Sequence, residues 1–395
     1  MDKSKANLLV EKLVFLYLLL FPFGQLMALK ASFLGANIRV HPADIVSLLA
    51  LPVIAFGGMG WPKFFKEIFN LALLGVFGLA LSFFVFETKQ VAVGALYLLR
   101  AVSYVAFFTA IYNLVKAKNK YKNILFNALI VVSLEVGVLG LIQYFLIPDL
   151  RFLYAFGWDD HLYRLIGTFL DPGFTGIILA LGGILALAAY IKEGKRVYLL
   201  GIAFLTLALL LTYSRASFVA FGVGLATLFI KTRRSLILLI AAIFLLAIPF
   251  LPRPEGYGVR LERTHSIVSR LANYRQTLEI FQKSPLFGVG FNNMCAARQE
   301  FLEDKMIDSH ACSGSDSSIL LVLATSGVVG LILVISLSKT ILESLPRNVF
   351  GYAFLACFMA LLVHSQFVNS LIYPWVLGYM SILGGVSLGG SKGRS

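Results

Sequence analysis

The chain has 395 residues, of which 59% are apolar and only 14% charged, against about 25% charged residues in soluble domains. With a mean hydropathy of +0.85 there is too little polar surface to cover a water-soluble globule of 43.4 kDa. That excludes an ordinary cytoplasmic enzyme, a disordered chain and a small disulfide-rich scaffold, and predicts an all-α polytopic membrane protein. The net charge of +14 would suggest a nucleic-acid partner in a soluble protein; here the positions of the charges carry the meaning, and no nucleic acid is expected.

Windows of about 17–25 apolar residues predict twelve spans in a single membrane domain over 1–395. They lie near 12–29, 43–58, 68–86, 91–114, 124–147, 172–191, 197–213, 216–231, 235–251, 317–337, 350–366 and 370–387. Lysines at 3, 5 and 12 resemble the start of a signal peptide, but no small-residue cleavage site follows, so the first helix reads as retained. In the fourth span Arg100 lies about 14 Å from the outer end, too deep to reach water easily. It is either functional or paired with Glu135 of the fifth span. Arg164 precedes the sixth span, and Arg215 sits in the polar break Thr212–Ala216 between the seventh and eighth.

The segment 252–315 is the one long loop. Val268, Leu271, Tyr274, Leu278 and Phe281 recur at helical spacing, predicting an amphipathic helix from Thr264 to Lys283 that lies on an apolar surface. Arg263, Arg270 and Arg275 flank that stripe, either snorkelling to headgroups or holding the phosphate of a lipid substrate. Pro285 ends the helix, and Gly288-Val289-Gly290 makes a tight turn; with no βαβ unit around it, a dinucleotide site is excluded. Cys295 and Cys312 are either a disulfide or two free thiols, while Cys357 packs within a span. The five histidines are isolated, so neither a metal nor another cofactor is expected. Asp316 opens the tenth span, as a helix cap, as a group serving an attacking hydroxyl, or as both.

Orientation follows from the basic residues. With the N-terminus inside, 19 Lys and Arg fall on the inner side and six in short outer loops. The long loop is exempt from the rule, so both termini are expected in the cytoplasm and the loop outside an inner membrane. Arg100, Arg164, Arg215 and Arg270 then meet Asp316 at the outer third of the bundle. Guanidinium forks bind phosphate oxygens bidentately and stabilise charge on a departing diphosphate. The fitting substrate is a polyprenyl diphosphate bearing sugars, its tail among helices and membrane lipids. No P-loop is present, and none is needed with so good a leaving group. The rival class is a transporter or flippase, for which the internal repeat common in such folds is missing.

These motifs carry a resemblance. Arg164-x-x-Gly167-Thr168-Phe169-Leu170-x-Pro172, Thr212-Tyr213-Ser214-Arg215, and Arg270-x-x-x-Tyr274 followed by Pro285-x-x-Gly288-x-Gly290 resemble signatures of the O-antigen ligase and polymerase superfamily. So does Asp316-Ser317-Ser318 through Gly327-x-x-Gly330, and the motifs together cover 160–330. The resemblance implies a GT-C-like, metal-independent membrane glycosyltransferase that moves a glycan from undecaprenyl diphosphate to a lipid, glycan or protein acceptor, as in lipopolysaccharide biosynthesis, or one that polymerises lipid-linked repeat units. It implies that Arg215 and Arg270 hold the diphosphate, assisted by Arg164 or Arg100. Family ligases place a His-Asn pair where this chain has Asp316-Ser317; His310, six residues earlier, is the alternative acceptor-side base.

Overall fold

The computed structural model describes residues 1–33, 36–254, 256–302, 312 and 314–390. Its one hairpin pairs β1 (Leu29–Phe33) antiparallel with β2 (Ala36–Val40), with Leu29 opposite Val40. The other regular elements are helices. In chain order come α1 (Lys3–Leu20), α2 (Pro42–Leu48), α3 (Ala50–Phe56), α4 (Phe65–Ser82), α5 (Thr88–Ala117) and α6 (Lys120–Leu146). Then follow α7 (Pro172–Glu193), α8 (Val197–Leu210), α9 (Arg215–Thr232), α10 (Ser235–Ala247), α11 (His265–Lys283), α12 (Met294–Leu302), α13 (Ser318–Glu343), α14 (Val349–His364) and α15 (Pro374–Gly389).

Among the described residues seven helices, not twelve, are long and apolar enough to cross a membrane: α1 with its extension to Met27, α4, α5, α6, α7, α9 and α13. The other five expected positions hold apolar helices of 10–17 residues. Hydropathy windows register apolar composition but not helix ends. Pro374 starts α15 at its first turn, so apolar Leu371 and Ile372 fall in the preceding turn. Helix α10 likewise stops before Pro249, and a break at Leu49 divides α2 from α3.

Helix α7 is the axis of the bundle, buried along nearly its whole length among α6, α8, α9 and α14. Its sequence explains this, because small residues let neighbouring backbones approach. A Cβ on Gly176 would lie 2.4 Å from Ser217 Oγ of α9, and one on Gly182 would lie 2.3 Å from Ser133 of α6. Asp171 starts α7 by accepting from Gly173 N–H (2.7 Å) and Phe174 N–H (2.8 Å). Ser214 caps α9 through Ser217 N–H, and this fixes the α8–α9 hairpin that carries Arg215.

Helix α13 is broken at Gly327, where φ is +66°. The segment after α11 enters this break. Val289 N–H donates to Ala324 O (2.9 Å), Gly290 N–H to Thr325 O (3.0 Å), and Val328 N–H to Pro285 O (2.9 Å). Backbone groups released by the break are thereby satisfied, which a membrane interior demands. The fit requires glycine on both sides: a Cβ on Gly288 would lie 2.3 Å from Thr325 C, and one on Gly327 would lie 2.1 Å from Leu286 O. The Gly288-x-Gly290 and Gly327 motifs are two halves of one joint.

Candidate functional site

The site grows from the N-terminal ends of α9 and α13 and from α11. Arg164 is buried; its Nε donates to Thr212 O (3.1 Å) and one terminal nitrogen to Tyr213 O (3.3 Å). It clasps the turn that presents Arg215. Gln143 of α6 supports the same stretch, accepting from Ile166 N–H (2.9 Å) and Gly167 N–H (3.1 Å). Burial, reinforced by the Arg263 charge, pushes the Arg164 guanidinium down to about 9. His161 beside it is held neutral, pushed by burial down to about 3.

Arg215 faces the incoming loop. One terminal nitrogen donates to Leu261 O (3.0 Å) and Arg263 O (3.1 Å), the other to Ser266 Oγ (2.8 Å). Arg263 reaches back to Tyr213 O (3.3 Å) and also binds Gly258 O and Arg260 O, both at 2.8 Å. Burial, then the neighbouring Arg215 and Arg270 charges, push Arg263 down to about 10. Crowding of like charge of this kind favours the approach of an anion.

Arg270 lies on α11 between these arginines and Asp316. Its guanidinium forms no hydrogen bond or ion pair with any described residue, yet its charge acts on Arg164, Arg263 and Asp316. The Asp316 carboxylate is equally without a hydrogen-bond partner among described residues. Burial pushes its pKa above the usual carboxylate range, with Arg270 and then Arg298 opposing. A cation and an acid thus lie within electrostatic reach of one another without forming an ion pair.

Asp316 does not cap α13; Ser317 does, accepting from Leu320 N–H (3.3 Å). What fixes Asp316 is Asn273 of α11, whose Oδ1 accepts from Asp316 N–H (2.9 Å) and Ser315 Oγ (3.1 Å). Thr277 Oγ1 also donates to Ser315 Oγ (3.0 Å), and the Tyr274 hydroxyl donates to Gln366 O. Helix α11 therefore docks on α13 through Asn273, Thr277 and Ile280, with Val268, Leu271 and Leu278 outward. The expected apolar stripe is divided: Tyr274 and Phe281 turn to the protein with Asn273, Thr277 and Ile280, while Val268, Leu271 and Leu278 stay exposed, because the polar partners at 315–316 set the rotation of the helix.

Cys295 and Cys312 form a disulfide. Beside it Arg298 donates to Cys312 O (3.1 Å) and Gly314 O (3.0 Å), bracing the approach to Asp316. His310 lies outside the described residues. Among those described, no group of three or more His, Cys, Asp or Glu is placed to hold a metal ion.

Arg100 is not part of this cluster and does not pair with Glu135. It forms an ion pair with Asp44 of α2 (2.8 Å) and donates to Arg39 O (2.8 Å). Asp44 is three residues into a helix opened by His41 and Pro42, so an intramembrane arginine finds its acid on a helix start, not in a neighbouring span. Arg100 is also the sole charged residue lining an apolar cavity of about 400 Å³ between α4, α5, α13, α14 and α15. Leu321, Val322 and Thr325, one to three turns below Asp316, line its wall.

Three residues that hold the site were not anticipated from sequence: Asn273, Gln143 and His364. His364 is buried between Ser217 Oγ (3.1 Å) and Ser370 Oγ (3.0 Å), joining α9 to the turn before α15. No pattern in the sequence marks them, since each acts through a contact distant along the chain.

The fold and site define a multi-pass membrane protein with a cluster of arginines near the starts of α9 and α13, consistent at a coarse level with a GT-C-like architecture. Residues 200–335 match the family model described as O-Antigen ligase. That match spans α8 to α13, the stretch that holds Arg215, Arg263, Arg270 and Asp316, and supports membership in the ligase and polymerase superfamily and a glycan-handling role in the membrane. No curated protein matches the chain.

Proposed function

We propose that the protein is a membrane glycosyltransferase, taking a glycan from a polyprenyl diphosphate carrier and passing it to an acceptor hydroxyl on the outer face of the cytoplasmic membrane. The observation that carries this reading is Arg270, whose guanidinium has no partner among the described residues and whose charge acts on Asp316, a carboxylate equally without one there. Arg270, Arg215 and Arg263 receive the diphosphate, and Arg164 holds the hairpin that positions Arg215. The apolar cavity below α13 supplies room for part of an isoprenoid chain. In the reaction the acceptor oxygen bonds to the anomeric carbon while the carbon–oxygen bond to diphosphate breaks. The electron pair leaves with the diphosphate, where arginines stabilise it. The hydroxyl proton passes to Asp316, whose burial makes it a stronger base than an exposed carboxylate; His310 is the alternative acceptor of that proton.

The broken helix α13 is a feature shared with transporters, but its freed backbone groups are bound by residues 285–290 and do not face a ligand. This favours the enzyme over the flippase. Purified protein in liposomes given lipid-linked glycan alone distinguishes the activities. A ladder of longer chains marks a polymerase, transfer only to an added acceptor marks a ligase, and glycan crossing the bilayer without a new glycosidic bond overturns the proposal.

A further inference from the structure

The outer loop between α6 and α7 contains a surface the arginine site does not use. It is built as a rigid unit: Asp149 bridges Leu162, Leu150 N–H donates to His161 O (2.8 Å), and Tyr163 N–H to Pro148 O (2.9 Å). Leu150, Leu153 and Ile166 form a small core of their own, against which Trp158 and Leu170 pack. Arg39 from the β-hairpin lies over the Trp158 ring at 4.6 Å. This bracing leaves three aromatic rings turned outward: Phe152 is 54% exposed, Tyr154 77% and Phe156 62%. The loop borders the site directly. Two residues beyond the bridge is Arg164, and a Cβ on Gly256, in the loop Arg215 grips, would lie 3.4 Å from Leu162. At its end Asp159 and Asp160 are exposed, and the Asp159 charge is felt by Arg164, Asp171 and Asp316.

We propose that this loop is the glycan-binding platform of the site: Phe152, Tyr154 and Phe156 stack on sugar rings beyond the diphosphate, and Asp159 and Asp160 accept their hydroxyls. The inference rests on the transfer reading above and names which part of its substrate is held where. Ring faces suit the C–H faces of sugars, and free carboxylates accept hydroxyl hydrogen bonds. Insertion of the rings into headgroups would call for Lys or Arg alongside them. Of the two arginines in the loop, Arg151 is already paired with Asp149 at 2.6 Å, and Arg164 is buried with its donors on Thr212 O and Tyr213 O. Two unpaired acids beside the rings would be repelled by an anionic membrane surface.

The probe is the oligosaccharide released by mild acid from the lipid-linked pool of the source cells. Its binding to the detergent-solubilised protein is measured by calorimetry, with no transfer required. The triple variant Phe152→Ala, Tyr154→Ala, Phe156→Ala should bind it about tenfold more weakly, as expected from losing ring contacts worth about 1–1.5 kcal/mol in total. Asp159→Asn should weaken binding severalfold. In liposomes the triple variant should raise KM for a donor bearing the full oligosaccharide and leave KM unchanged for one bearing a single sugar. Equal affinity of wild type and triple variant for the oligosaccharide overturns the platform, as does quenching of Tyr154→Trp fluorescence by brominated lipids. Retained oligosaccharide binding in a protein that transfers neither donor would instead overturn the transfer reading and leave the platform standing.

Discussion

Asn273 is the residue on which the geometry of the site turns. It stands one turn beyond Arg270 on α11, and its Oδ1 accepts from both Asp316 N–H at 2.9 Å and Ser315 Oγ at 3.1 Å. It therefore sets the relation between the Arg270 guanidinium and the Asp316 carboxylate. Asn273→Ala orphans the Asp316 amide, a half-buried donor whose loss of partner costs about 1–3 kcal/mol. Ser315 retains Thr277 at 3.0 Å, so the start of α13 relaxes without detaching. A displacement of about 1 Å at a reacting group lowers rates by about a hundredfold. The expected result in liposomes is a kcat reduced roughly 30- to 100-fold with donor KM little changed. Asn273→Asp restores the acceptor but puts a carboxylate beside Arg270, so it should recover much of kcat and raise donor KM. Wild-type kcat in Asn273→Ala, in protein that purifies at normal yield, would refute the idea that α11 positions Asp316.

Arg164→Ala should lower thermal stability in detergent, since two hydrogen bonds from a buried guanidinium, each worth about 1.5–3 kcal/mol, hold the α8–α9 turn; an unchanged melting temperature would remove its clasping role. Burial raises the Asp316 pKa, so the acid limb of kcat/KM should lie above the ordinary carboxylate value of about 3.9 and vanish in Asp316→Asn. Native protein then holds a proton that the unfolded chain releases, so this group adds stability as pH falls through its folded pKa. The acid loss of transfer should thus occur without unfolding from this source. A limb near 6.5 abolished by His310→Ala would assign the base to His310. A reporter active only outside the membrane should be silent when fused after Lys118 and active after Glu300; the reverse would place the site on the wrong face.

Much of the architecture was legible because bilayer insertion writes itself into composition. All twelve apolar stretches contain helix, though 43–58 is divided at Leu49, and the breaks between Leu210 and Arg215 and before Pro374 fall at or beside the polar and proline residues. Length was less legible, since five of those helices are too short to count as spans. Arg164, Arg215, Arg270 and Asp316 could be singled out because each falls in a short motif, at or just before the start of an apolar stretch or, for Arg270, on the amphipathic helix, and the structure brings their charges within reach of one another. Their division of labour could not. Arg164 donates to carbonyls of the hairpin, Arg215 to Leu261 O, Arg263 O and Ser266 Oγ, and Arg270 to no described residue, and that depends on how residues 257–267 fold back on the hairpin. Arg100 stood out as a charge within a span but has a different partner, because Asp44 is 56 residues away along the chain. The division of the α11 stripe was hidden for a similar reason, since periodicity shows that a helix has two faces but not which one meets polar partners.

Arg270→Ala in the liposome assay tests the central claim most directly. Wild-type protein should release polyprenyl diphosphate as it forms a new glycosidic bond. Arg270→Ala should insert and melt as the wild type does, since its guanidinium holds no described residue, while transfer falls by about a hundredfold or more, as when a donor that stabilises developing charge is removed. Transfer at the wild-type rate in that variant would contradict the account.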